Sequence, residues 1–116
     1  MPLFSKPANP TERRGEDRRR IVSRGLVIGD GQETPCLIVD QSESGLRIRL
    51  DRAVGLPGVI VVVDLVAGTA CEASVTWATG HDVGLKCSIR QTPLNGLVPA
   101  RLTAARDAWM RYRAHP

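Results

Sequence analysis

The 116-residue sequence is poor in aromatic side chains: two Trp, one Tyr and one Phe make up 3% of the chain. A core built almost without them rests on Val, Leu, Ile and Ala, which suits short β-branched strands and makes a mainly β fold the first expectation. The scarcity also argues against recognition of single-stranded nucleic acid. Phe4, Trp77, Trp109 and Tyr112 are not interleaved with basic residues as a base-stacking platform requires. Histidine is scarce too, with only His81 and His115. His81 falls in Gly80-His81-Asp82, a turn in which a solvated side chain is expected. No H-E-x-x-H, G-x-S-x-G or G-x-x-x-x-G-K-[ST] pattern occurs, and no carboxylate pair is matched to a base. No catalytic constellation remains, so a non-enzymatic role is expected.

Cys36, Cys71 and Cys87 form no C-x-x-C pair, and an odd count in a short chain argues against a disulfide framework or a zinc site. No metal or cofactor is expected. The longest apolar run, Val59 to Val63, is about a quarter of the roughly 20 residues that a spanning helix needs. Met1 to Gly15 holds Pro2, Lys6, Pro7 and Pro10 but no apolar stretch of signal-peptide type, so a cytoplasmic location is expected.

What is present is positive charge in one place. Lys and Arg number 16 against 12 Asp and Glu, and Arg13, Arg14, Arg18, Arg19 and Arg20 share one segment, which implies an anionic partner there. Residues 1–12, rich in Pro and polar groups and without hydrophobic period, are expected to form a flexible leader. A strand from Arg20 to Ile28 leads into the turn Gly29-Asp30-Gly31, and Cys36 to Val39 forms a second short run. Leu46-Arg47-Ile48-Arg49-Leu50 alternates as a half-buried strand with both arginines outward and solvated. Val59 to Leu65 is apolar throughout, as a strand covered on both faces would be. Ala73, Val75 and Trp77 alternate with Ser74 and Thr76, and Val83, Leu85 and Cys87 follow the turn at Gly80. Six short strands at this spacing within residues 13–92 predict a β-barrel or a β-sandwich. Beyond it, Val98, Leu102, Ala105, Trp109 and Tyr112 recur at helical steps, which predicts an amphipathic helix within 93–116.

Two short motifs stand in order on this frame. Arg14 and Arg18 are spaced R-x-x-x-R within Glu12-Arg13-Arg14-Gly15-Glu16-Asp17-Arg18, and Asp40, Ser42 and Gly45 are spaced D-x-S-x-x-G. Arg20 and Arg24 repeat the first spacing but lie within the first predicted strand. With a strand between the motifs and a barrel-like series after them ending in Trp77 and Val83-Gly84-Leu85, residues 12 to 88 resemble the PilZ domain, whose signature is this motif pair. The resemblance implies a six-stranded antiparallel PilZ-type barrel with a C-terminal helix, and a receptor for the bacterial second messenger cyclic di-GMP.

On that resemblance the ligand-binding residues are Arg13, Arg14, Arg18, Asp40, Ser42 and Gly45. An arginine fork can bond the O6 and N7 acceptors of guanine in a bidentate way and stack its plane on a base, so Arg14 and Arg18 are the expected clamps. Asp40 offers a carboxylate to guanine N–H groups and Ser42 a hydroxyl. Gly45 is expected at a positive φ with no Cβ in the ligand's way. Arg13 is spare and suits a second copy of the nucleotide; Arg24 and Arg47 are further candidates. The resemblance also implies a protein partner downstream and an output in motility, adhesion or exopolysaccharide. Two other readings stand beside it: a PilZ fold that binds only protein, and a basic arm that binds nucleic acid through phosphates.

Overall fold

Each strand follows from its own alternation, and each tight hairpin from its turn residues. A computed structural model describes residues 19–87 and 91–114, so the expected leader and His115 lie outside the described residues. The strands are β1 Arg19–Gly29, β2 Gln32–Gln41, β3 Gly45–Leu50, β4 Val59–Asp64, β5 Thr69–Thr79, β6 Asp82–Cys87 and a two-residue β7, Thr92–Pro93. Between β1 and β2 the chain turns on Asp30 (φ 52°) and Gly31 (φ 77°). Two successive positive φ values make the type I′ turn whose twist matches that of the flanking strands, and Asp-Gly is a favoured pair for it. The β5–β6 hairpin turns at Gly80, with φ 61°.

All pairings are antiparallel, in the order β4-β1-β2-β3-β6-β5, and β4 also pairs with β5, which closes the sheet into a six-stranded barrel. Closure removes the exposed strand edges that would otherwise template aggregation. The short β7 was not evident from periodicity. It pairs with Thr69 and Ala70 of β5, beyond the stretch of β5 that β6 covers.

Inward side chains form one apolar cluster, which includes Val27, Ile38, Ile48, Ile60, Val62 and Val83. A second cluster lies outside the barrel, where Val61 and Val63 of β4 and Leu26 and Ile28 of β1 meet Leu94, Leu102, Ala105 and Trp109. The unbroken apolar run in β4 thus serves both clusters, as expected for a strand covered on both faces.

The cover is α1, Thr103–Ala114, entered through a 3-10 turn at Ala100–Leu102. Pro99 is extended (ψ 154°) and its carbonyl accepts the Leu102 N–H at 2.9 Å, so regular helix begins several residues after Val98. Arg101 pairs with Glu72 of β5 at 3.0 Å and Arg111 with Glu33 of β2, while Arg24 stacks over the Tyr112 ring at 5.2 Å. These contacts fix which side of the barrel the helix occupies and leave the outer face of β3 and β6 to other uses.

Candidate ligand-binding site

Strict alternation would turn Asp40 inward, since Ile38 on the same strand is buried in the core. A bulge prevents this. Ile38 pairs with Ile48 but Asp40 pairs with Arg47, so Val39 is an extra residue on β2. The neighbouring strand has a matching irregularity, with Arg20 opposite Asp40 and Ser23 opposite Ile38. Bulges re-aim side chains in this way and collect near functional sites. Here the Asp40 carboxylate reaches the outer face and meets the Arg47 guanidinium at 3.5 Å.

A third bulge acts on β5. Val75 pairs with Leu85 and Trp77 with Gly84, which leaves Thr76 as the extra residue; its hydroxyl donates to the Gly84 carbonyl at 3.0 Å. Trp77, which the alternation with Ala73 and Val75 aims inward, is therefore outside the barrel and 46% exposed. Its indole covers Gly84, where a Cβ would lie 2.0 Å from Nε1. Gly84 is also the register partner of Arg47. One row across the sheet thus runs Arg20, Asp40, Arg47, Gly84 and Trp77.

Ser42 and Gly45 close the turn between β2 and β3, with the Ser42 N–H donating to the Gly45 carbonyl at 2.9 Å. Gly45 does not have the positive φ expected of it; among the described residues the glycines with positive φ are Gly31, Gly68 and Gly80. Its requirement is a close approach. A Cβ at Gly45 would lie 2.8 Å from the Leu85 carbonyl oxygen, a backbone atom that cannot swing away. The glycine lets β3 begin against β6, and so sets the position of the turn that carries Ser42.

Asp40, Ser42 and Gly45 therefore share one corner of the barrel, while Arg13, Arg14 and Arg18 lie outside the described residues. Arg47 and Arg49, expected to be solvated, are ion-paired: Arg47 with Asp40, and Arg49 with Asp82 at 3.0 Å. Arg24 is engaged with Tyr112 on the helix side. His81 is exposed, and its Nδ1 lies 3.0 Å from the Leu50 carbonyl oxygen, a contact that ties its turn to β3. A groove of about 450 Å³ lined by Arg24, Leu26, Leu37, Arg49 and Leu65, among others, contains none of the motif residues.

The PilZ domain family model matches residues 12–99, which takes in both motifs and the whole barrel. The chain belongs to the PilZ domain family. A comparison with curated proteins gave no match. Within this PilZ chain the outward placing of Trp77 and the ion pair between Asp40 and Arg47 were not anticipated from the sequence. Their exposure depends on bulges that leave no mark on local hydrophobic period; the available signal was Gly84, a small residue facing outward between buried Val83 and Leu85.

Proposed function

We propose that this PilZ chain is a receptor for cyclic di-GMP, held by Arg14 and Arg18 from one side and by Asp40, Ser42 and the outer face of β3 and β6 from the other. The register of β1 carries the proposal. Arg19 and Arg20, the first residues of β1 and the next in sequence after Arg18, pair with Gln41 and Asp40 of the second motif's strand. The ligand's chemistry matches the residue types of the two motifs. Guanine presents O6 and N7 acceptors to arginine forks and N–H donors to a carboxylate, and each phosphate carries a negative charge.

Trp77 lies three strand spacings from Asp40 along the row, about 14 Å away. An exposed indole on that face offers a second base a stacking surface, an interaction worth about 1–3 kcal/mol per base. Arg47 beside Asp40 holds the carboxylate in place and adds positive charge for a phosphate. In this reading Arg13 serves a second copy of the nucleotide where an intercalated pair binds. Occupancy of the corner then alters the surface offered to a protein partner, which makes the chain an adaptor that regulates motility, adhesion or exopolysaccharide output.

Isothermal titration of cyclic di-GMP into the chain, into Arg18→Ala and into Asp40→Ala, with GMP and a short oligonucleotide as controls, tests the proposal. Saturable binding that is lost in both variants and absent for GMP is the expected result, and the titration reports stoichiometry directly. A folded chain that gives no heat would overturn the receptor reading in favour of a protein-only module. Heat with the oligonucleotide alone would favour the basic nucleic-acid arm.

A further inference from the structure

Two thiols lie side by side at the end of the barrel that carries the β2–β3 turn. Cys87 pairs with Ala73, and Cys71 stands two residues before Ala73 on the same inward face, which makes the two cysteines diagonal neighbours across β5 and β6. Their sulfurs are 3.4 Å apart. Cys71 is buried, whereas Cys87, the last residue of β6, is half-buried and accessible from that end. The Cys87 backbone N–H donates to the Ser44 carbonyl at 2.9 Å, and the preceding Lys86 pairs with Gly45. The thiol pair is thus one hydrogen bond away from the D-x-S-x-x-G turn.

We propose that Cys71 and Cys87 are a reversible oxidation site, in which a hydroperoxide converts the thiol pair to a disulfide and the closure displaces the Ser42 to Gly45 turn. Only the consequence for nucleotide affinity rests on the receptor reading above; formation of the disulfide does not. The Cys87 sulfur, as thiolate, attacks the terminal peroxide oxygen and breaks the O–O bond, which yields a sulfenic acid and expels the other oxygen as hydroxide or alkoxide, protonated to water or alcohol. The Cys71 sulfur then attacks the Cys87 sulfur and expels the sulfenic hydroxyl, which leaves as water with the Cys71 proton. Two thiols lose two electrons and two protons, and one hydroperoxide is reduced.

The roles are set by the environment of each thiol. The hydrogen bond between them lowers the Cys87 thiol pKa below its ordinary value and raises that of Cys71, which burial raises further. Cys87, half-buried where Cys71 is buried, is the sulfur that a peroxide reaches and so the attacking one, with Cys71 resolving. Closure requires the sulfurs to approach from 3.4 Å to about 2.05 Å. The strand end that carries Cys87 must move with its sulfur, and the Ser44 carbonyl is bonded to that strand end. Cys36 is an internal reference, since burial pushes its thiol pKa up to about 12 and leaves it protonated and unreactive.

The test is to treat the purified chain with dilute hydrogen peroxide, alkylate the remaining thiols, map the peptides without reduction, and follow the Ser44 and Gly45 amides by NMR. A Cys71–Cys87 disulfide that dithiothreitol reverses, forms in Cys36→Ser but not in Cys87→Ser, and shifts both amides is the expected result. Cys87→Ala gives the same readout should Cys87→Ser fail to fold. Cyclic di-GMP affinity should differ by about fivefold or more between the reduced and oxidised chains. Unchanged free thiols, or oxidation at Cys36 instead, would overturn the proposal; a disulfide that leaves both amides unmoved would overturn its coupling to the turn. Absence of nucleotide binding in the reduced chain would count against the receptor reading alone, because the peptide map and the amide shifts still decide the disulfide.

Discussion

The Trp77 indole rests on Gly84 so closely that a Cβ there would meet Nε1 at 2.0 Å and Cε2 at 2.3 Å. Gly84 is otherwise flanked by core residues Val83 and Leu85, so the ring seals the one position of the strand that has no side chain. Gly84→Ala should therefore lift the indole away from the sheet and leave the barrel closed, at a cost of about 1 kcal/mol, the usual size for a single substitution. Intrinsic fluorescence provides the check. Trp109 is buried under the helix, so a red shift that vanishes in the Gly84→Ala, Trp77→Phe double variant reports Trp77. The same lift should weaken cyclic di-GMP binding if one base stacks on the indole.

Asp40 and Arg47 make a partly exposed ion pair, with side-chain exposures of 19% and 32%. Pairs of this kind contribute about 0–1 kcal/mol to stability, so Asp40→Asn and Arg47→Ala should each leave the melting curve nearly unchanged. Nucleotide affinity should separate them from surface variants elsewhere. A hydrogen bond to a charged group contributes about 1.5–3 kcal/mol, so Asp40→Asn is expected to weaken binding by tenfold or more in titration calorimetry. Arg49→Ala, which breaks the pair with Asp82, is the matched control and should bind as the parent does.

The barrel was legible because its strands obey local rules. Leu46, Ile48 and Leu50 are buried while Arg47 and Arg49 are not, and Gly29-Asp30-Gly31 contains a turn for a steric reason intrinsic to those residues. The candidate site was legible only as a motif. Whether Asp40 or Trp77 faces in or out depends on one extra residue, Val39 or Thr76, and that residue has meaning only once the partner strand is in register. Gly45 departs from the expected positive φ for a related reason: its glycine is required by the Leu85 carbonyl, a backbone atom 40 residues along the chain, rather than by its own torsion angle. The juxtaposition of Cys71 and Cys87 is non-local in the same sense, and no spacing rule for cysteines anticipates it.

Gly68 has two requirements at once. Its φ of +74° lies in the left-handed region, and a Cβ would come within 2.9 Å of Cζ2 of Trp109. Gly68 also organises the β4–β5 turn, donating to the Asp64 carbonyl and accepting from the Leu94 N–H, each at 2.8 Å. Gly68→Ala should cost about 1–3 kcal/mol through backbone strain alone, with a further loss from displacement of the helix. Hydrogen exchange should show faster exchange in α1 and β7 than in β2 and β3. Uniform acceleration across the barrel would mean that the helix and the barrel unfold as one unit.

Alkaline pH should expose the buried thiol at Cys36. Burial is the largest cause of its raised pKa, from an ordinary value of 9.0 to about 12, with the Asp51 and Asp64 carboxylates adding to the effect. Between those values the unfolded chain has lost the proton and the folded chain retains it, so the unfolded state binds fewer protons and stability falls as pH rises. The contribution of Cys36 is fully present below about pH 9 and is lost as the pH climbs through about 12. Cys36→Val removes the titrating group at similar volume. Denaturant midpoints of the parent and Cys36→Val should therefore run parallel from pH 6 to 8 and diverge above pH 9, with the parent falling more steeply; parallel curves throughout would show that the thiol reaches solvent in the folded chain.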